Sequence, residues 1–222
     1  MQKLIFDVRS RPFIILIMAF IIITLLVYFG ITAEFDNSIV LYFQSIAGNP
    51  ILDLSMQSIT EAGDVYYMLG FSIVLLIIKR TRRLGLALMI LLVMTTLLTG
   101  YIKCGVDRDR PTLDFTGTPF PIELSEDTFA LFCEGGFNAS FPSGHAARAT
   151  IFGLILGYVL SERFPRGCYL LLLYPILMSI SRIYVMQHFP MDVIGGAILG
   201  ILLAGVVAKK SKLYEMFKGS KT

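Results

Sequence analysis

Apolar residues in this chain come in long, recurring runs, and that recurrence restricts the possible folds more than any single motif. The runs cover roughly 13–31, 65–78, 84–102, 150–160, 169–180 and 193–208. A helix needs about 20 mostly apolar residues to cross a bilayer. Several runs fall short, and their flanks lengthen them: Leu52 to Asp64 before the second, Gly144 to Ala149 before the fourth, Arg182 after the fifth. Only 16% of the 222 residues are charged and the mean hydropathy is +0.74. A soluble domain averages about 25% charged, so a soluble fold is excluded. The reading is all-α, a six-transmembrane helix bundle forming one domain over 1–222. No clean small-x-small cleavage site follows the first run, which is therefore read as a retained helix.

The basic residues orient this bundle. Lys3, Arg9 and Arg11 precede the first run, Lys79, Arg80, Arg82 and Arg83 join the second to the third, Arg163 and Arg166 join the fourth to the fifth, and a lysine-rich tail follows the sixth. With six spans all of these lie on one face, which the positive-inside rule makes cytoplasmic, with both termini there. The leading segment to Arg11 reads as a topology anchor on anionic lipid. Lys103, Arg108, Arg110, Arg148 and Arg182 fall at the opposite face, where topology gives no reason to want them.

That outer face also collects the residues with chemical potential. Between the last two runs, Ser181 to Asp192 holds Arg182, His188 and Asp192. Pro190 forbids a continuous helix but suits a first turn, which predicts one helix ending near Arg182 and another beginning around Phe189. Asp192, in that first turn, is then placed to reach back to the His188 imidazole, fixing its tautomer and leaving the other nitrogen free to attack. Phe141-Pro142-Ser143-Gly144-His145 opens the fourth span with helix-start residues and a glycine, and amides at a helix N-terminus bind phosphate. Lys103 and Arg110, seven apart, would share a face if the third helix continued; Pro111 stops it there. Two such cations suit a phosphate, with the alternative that they form a rim meeting lipid headgroups. Arg108 is assigned to that rim.

Other features carry less. Glu34 and Asp36 read as caps on the outer end of the first span, and Gly48-Asn49-Pro50 as a turn before the second. Glu61 and Asp64 are acids near the interface, either water-reachable or part of the site. The polar insertion from Thr112 to Ser140 has the pattern of a short interfacial helix around Leu124 to Phe132 and could roof the site, admitting a lipid from the side. Cys104 and Cys133 both fall in outer segments, leaving a disulfide and two free thiols as the two readings. No Cys or His spacing suggests zinc. Gly196 and Gly200 give the last span a small-xxx-small face for packing within the bundle.

Lys103 with Arg110-Pro111, Pro142-Ser143-Gly144-His145, and Ser181-Arg182 with His188 and Asp192 together resemble, in order and spacing, the three-part signature of the type 2 phosphatidic acid phosphatase superfamily, which also includes vanadium haloperoxidases. The resemblance spans Lys103 to Asp192 without departure at a signature position. It implies a hydrolase in which His188 attacks phosphorus to give a phosphohistidine and Asp192 orients it. His145 would protonate the leaving oxygen and later activate water, and Lys103, Arg110, Ser143, Gly144 and Arg182 would hold the phosphoryl oxygens. Fixed cations and helix-start donors suffice for phosphoryl transfer without metal or cofactor. A single pH optimum between the two histidine pKa values is expected.

The expected substrate is a lipid phosphate whose tail stays in the membrane, with a polyprenyl diphosphate such as undecaprenyl diphosphate leading. Phosphatidylglycerol phosphate, phosphatidate and diacylglycerol pyrophosphate remain open, and oligomeric state is not legible. Nucleic acid is not an expected partner. A haloperoxidase would need bound vanadate and would show halide-dependent peroxidase activity. A lipid transporter would string its charges along a path, whereas these converge on one face.

Overall fold

The computed structural model describes residue 5, residues 7–117, residues 139–210 and residue 213, with the side chains of 209 and 210 excepted. Eight α-helices run in chain order: α1 Arg11–Tyr28, α2 Ala33–Ile46, α3 Pro50–Glu61, α4 Val65–Ile77, α5 Arg82–Val106, α6 Gly144–Leu160, α7 Leu173–Tyr184 and α8 Pro190–Lys210. A 3-10 helix, Gly167–Leu172, leads into α7. Four segments are long and apolar enough to cross a membrane: Arg11–Tyr28, Arg82–Val106, Gly167–Tyr184 and Pro190–Ala208. A fifth arises if α3 and α4, bent by 54° at their junction, count as one span. The second apolar run is thus a broken pair of helices and not a single helix lengthened by its flank. The junction Ala62-Gly63-Asp64 explains the break, because Asp64 caps the new helix by accepting the Tyr66 N–H at 2.8 Å. α6, apolar and 17 residues long, is the remaining candidate.

Punctuation read from sequence lands where local chemistry requires. Asn49 accepts from the Ile51 and Leu52 amides at the start of α3, with Gly48 at φ +104° before it. Pro190 opens α8. Two expectations fail. The stretch after the first span contains α2, an additional helix, and Asp36 lies fully buried in its first turn instead of capping α1. α5 stops at Val106, where Asp107 adopts the left-handed conformation at φ +47°. Lys103 and Arg110 therefore share no helical face, and Arg110 sits in the extended segment beyond the helix.

α6 is the axis of the bundle. It is buried around nearly its whole circumference, as a mostly apolar helix inside a protein should be, whereas α1 exposes Ile14, Ile15, Ile21 and Ile22. Its most extensive partner is α8, and small residues make that approach possible. A Cβ on Gly196 would lie 2.3 Å from the Ser143 carbonyl oxygen, and one on Gly200 2.6 Å from that of Ala147. Both obstacles are backbone, so alanine at either position would push the helices apart at a cost of about 1–3 kcal/mol. The small-xxx-small face thus serves packing within the bundle, as expected. It also sets the N-terminal ends of α6 and α8 against each other, which matters because each carries one histidine.

Candidate active site

Ser143 caps α6, its hydroxyl accepting from the Ala146 amide at 3.4 Å, while its own N–H donates to the Asp192 carbonyl oxygen at 3.0 Å. The Phe141–Pro142 peptide leading into this cap is cis. The bond from Ser143 joins the signature segment at the start of α6 to the first turn of α8. As a result His145, on α6, and His188, one residue before the α8 N-cap Phe189, lie within electrostatic reach of each other, and both feel Lys103 and Arg182. Lys103 in turn feels Arg110, Arg182, Arg148 and Asp192. All three signature segments converge on one place.

His188 is almost fully buried in the turn between α7 and α8. Its turn is closed by the Arg182 carbonyl, which accepts the Gln187 and His188 amides at 3.1 and 3.2 Å. The Asp192 carboxylate lies 3.7 Å from Nδ1, beyond a direct hydrogen bond. The direct contact expected from sequence is replaced by a hydroxyl: Ser140 donates a short bond to Asp192 Oδ2 and sits 3.4 Å from His188 Nδ1. The arrangement fixes the tautomer. The one hydroxyl proton goes to the carboxylate, so the contact with Nδ1 requires Nδ1–H to donate to Ser140, leaving the lone pair on Nε2. Burial pushes the imidazole pKa down to about 3, against the opposing pull of Asp192 and with a smaller downward push from Arg182. His188 is neutral at any physiological pH.

Asp192 is itself anchored on several sides. Oδ2 accepts the Phe189 amide at 2.8 Å, the backward reach of a capping box, and Oδ1 accepts Arg108 Nη1 at 2.7 Å. Arg108 continues to Asp36 Oδ2 at 2.6 Å and lies over the Phe189 ring at 4.1 Å. Asp36 also accepts the Met191 amide at 3.0 Å and the Thr32 hydroxyl at 2.9 Å. Arg108 is thus not a headgroup-facing rim residue. It is the counter-ion shared by two fully buried carboxylates.

The second histidine has the opposite surroundings. Arg148 Nη2 lies 3.4 Å from His145 Nδ1 and donates at 3.4 Å to the Gly63 carbonyl at the α3–α4 break. Guanidinium has no acceptor, so Nδ1 of His145 receives the bond and Nε2 carries the proton. Gly63 is close-packed here: a Cβ on it would lie 3.1 Å from His145 Cδ2 and 2.3 Å from Met178 Cε. Gly144 leaves room for the same arginine, Nη1 lying 3.2 Å from where its Cβ would be.

Of the sequence-predicted residues, Lys103, Ser143, Gly144, His145, Arg182, His188 and Asp192 come together, and Arg110 joins them from the extended segment, its Nη1 donating a short bond to Gln187 beside His188. Sequence reasoning missed Ser140, Arg108, Arg148 and Asp36. Arg148 and Arg108 were flagged only as cations with no topological reason to face outward. Cys104 is disulfide-bonded and Cys168 is a buried free thiol. Cys133 and the expected interfacial helix around 124–132 lie outside the described residues.

Two histidines amid clustered cations in a membrane bundle have the chemistry to handle a phosphoryl group, and comparison with known proteins names the class of the chain. The pattern of the PAP2 superfamily matches residues 82–213. The chain is 30% identical over 161 residues to the undecaprenyl-diphosphatase of Sulfolobus acidocaldarius, covering 71% of each chain. It is 27% identical to phosphatidylglycerophosphatase B of Bacillus subtilis, over 76% of this chain and 80% of that one. The solved structure of a transmembrane PAP2-type phosphatidylglycerolphosphate phosphatase from Bacillus subtilis superposes with a TM-score of 0.73 at 25% identity, over 91% of this chain and 97% of that one. The chain belongs to the PAP2 superfamily. It is a multi-pass membrane protein and a lipid phosphatase.

Proposed function

We propose that this phosphatase hydrolyses the terminal phosphate of a polyprenyl diphosphate through a phosphohistidine on His188, without a metal, at the extracytoplasmic face of a six-span bundle with both termini cytoplasmic. The observation that carries the reading is the opposite poise of the two histidines. Nε2 of His188 holds a lone pair and a neutral ring, as a nucleophile must. Lys103, Arg110 and Arg182, with the Ser143 and Gly144 segment at the start of α6, take the phosphoryl oxygens and stabilise the loose transition state. The P–O bond to the leaving group breaks as the N–P bond forms. The oxygen of a water then bonds to phosphorus as the N–P bond breaks, the electron pair returning to His188 and the water's proton leaving with the released phosphate.

His145 decides between substrate classes. Its Nδ1 accepts from the Arg148 guanidinium, and an imidazolium, with a proton on both nitrogens, could not keep that bond while protonating a strongly basic leaving group. An ester alkoxide is about as basic as hydroxide, whose conjugate acid has a pKa of ~16. The leaving group from a diphosphate is a phosphate monoester, whose second pKa is about 6. A neutral Nε2–H hydrogen bond suffices for the second and not for the first. The relative from Sulfolobus acidocaldarius is named for a polyprenyl diphosphate. The phosphomonoester reading rests on the likeness to the Bacillus subtilis phosphatases.

Phosphate release by the purified protein in detergent with a chelator, from undecaprenyl diphosphate, phosphatidylglycerol phosphate and phosphatidate, tests this. The diphosphate is expected to be hydrolysed with the highest kcat/KM. Preference for either monoester contradicts the substrate assignment, and activity that disappears with chelator contradicts the metal-free mechanism.

A further inference from the structure

The break between α3 and α4 does more than hold Arg148. One residue before Gly63, Ala62 stands at the top of an apolar groove of about 320 Å³, walled by Met68 and Phe71 of α4, Phe152 and Leu156 of α6, and Tyr174 of α7. The groove is predominantly apolar. Two tyrosines, Tyr67 and Tyr174, line it, and the Tyr174 hydroxyl donates to the Ala62 carbonyl at 2.8 Å. The Phe71 and Phe152 ring centroids lie 6.1 Å apart. Gly153 and Leu171 complete the lining where α6 meets the 3-10 helix closely: a Cβ on Gly153 would lie 2.8 Å from the Leu171 carbonyl oxygen.

We infer that this groove binds the hydrocarbon tail of the substrate lipid. The inference rests on the lipid-phosphatase reading and adds where the tail lies. Two observations pick this occupant. The groove and the catalytic pocket share a wall one residue thick: Ala62 lines the one, while Gly63 packs on His145 and accepts from Arg148 in the other. The groove also runs in the right direction. His145 is in the first turn of α6, and Phe152 and Leu156 lie about two and three turns further along the same helix. A lipid with its phosphate at His145 and its chain beside α6 therefore descends from the site toward the bilayer interior. A chain laid there exchanges loose contact with mobile lipid for a fixed apolar wall, which positions the phosphate without any tail-specific polar group.

Photolabelling of the full-length protein with a prenyl phosphonate carrying a diazirine on its chain tests the site without requiring turnover. Adducts are expected on Met68, Phe71, Phe152 or Leu156, suppressed by excess unlabelled polyprenyl phosphate and not by the corresponding neutral prenol. Adducts spread over the lipid-facing side of α1, or equal suppression by the neutral prenol, would overturn the inference. Kinetics supply the second arm. Ala62→Phe at the top of the groove and Leu156→Trp toward its lower end are each expected to lower kcat/KM for a long-chain substrate at least about tenfold while sparing a five-carbon prenyl diphosphate. Equal loss on both substrates with Leu156→Trp, which is remote from the site, contradicts a tail groove. Should the wild-type protein release phosphate from neither substrate, the phosphatase reading fails, and the labelling pattern still decides whether the groove takes the chain.

Discussion

The two histidines of the site are held by opposite kinds of neighbour. On the α8 side, His188 is backed by a hydroxyl and a carboxylate, and that carboxylate is held by an arginine that it shares with a second buried carboxylate. On the α6 side, His145 is backed by an arginine that also donates to a backbone carbonyl. The same side chain therefore presents a lone pair in one case and a proton in the other. The difference teaches that the role of a histidine here is set by what touches its Nδ1, and that the contacts come from segments far apart in sequence.

The largest effect should come from removing the lone-pair side. His188→Ala is expected to abolish phosphate release, by roughly 10⁴-fold or more, while His145→Ala leaves the first chemical step on a diphosphate measurable. Equal loss in the two variants would break the comparison. Next comes the arginine behind Asp192. Arg108→Ala leaves Asp36 and Asp192 buried without their counter-ion, so both stability and activity should fall, kcat by about 100-fold. Adding Asp36→Asn should recover part of the thermal stability in detergent, because one of the two uncompensated charges is then gone. Loss of activity with no loss of stability would show that Arg108 touches substrate directly.

Ser140→Ala should have a smaller effect. Asp192 Oδ2 retains the Phe189 amide, so the carboxylate stays in place, but Nδ1–H loses its acceptor. A fall of about tenfold in kcat, with KM unchanged, is expected from loss of one hydrogen bond. The smallest and most discriminating effect concerns pH. A nucleophilic role for His188 requires its neutral form, and burial pushes its pKa down to about 3. The acid limb of kcat/KM, which reports the free enzyme, should therefore lie well below the ordinary histidine value of about 6.5. The linked stability has the same sign. Between about 6.5 and 3 the unfolded chain binds a proton that folded His188 refuses, so the contribution is complete above pH 6.5 and declines as the pH falls through this window. An acid limb near 6.5 that moves in Ser140→Ala would show that His188 is far less shielded than its burial implies.

The signature residues were legible because each lies within a few positions of a helix start or end that local chemistry marks: Ser143 as a cap, Pro190 as a first-turn residue, Gly196 and Gly200 as a close-packing face. Convergence of the three segments was legible from their shared outer location. Asp36 was not, because an acid after an apolar run reads as a cap, and nothing local signals a partner 72 residues away in Arg108. Ser140 looked like one more polar loop residue, and Arg148 like one more cation without a topological reason. The broken α3–α4 span was hidden for a related reason. Leu52 to Asp64 reads as a flank that lengthens the apolar run from 65, and only the cap at Asp64 and the contacts of Gly63 show why the chain bends there.

The central claim is that His188 forms a covalent bond to phosphorus. The direct measurement is to react the protein briefly with a lipid diphosphate radiolabelled in its terminal phosphate, quench in alkali, and look for label on the protein. A phosphohistidine bond survives alkali and is cleaved by acid. The account predicts alkali-stable, acid-labile label on the peptide containing His188, present in the wild type and absent in His188→Ala. Label absent from a turning-over wild-type enzyme, or label retained in His188→Ala, would contradict it.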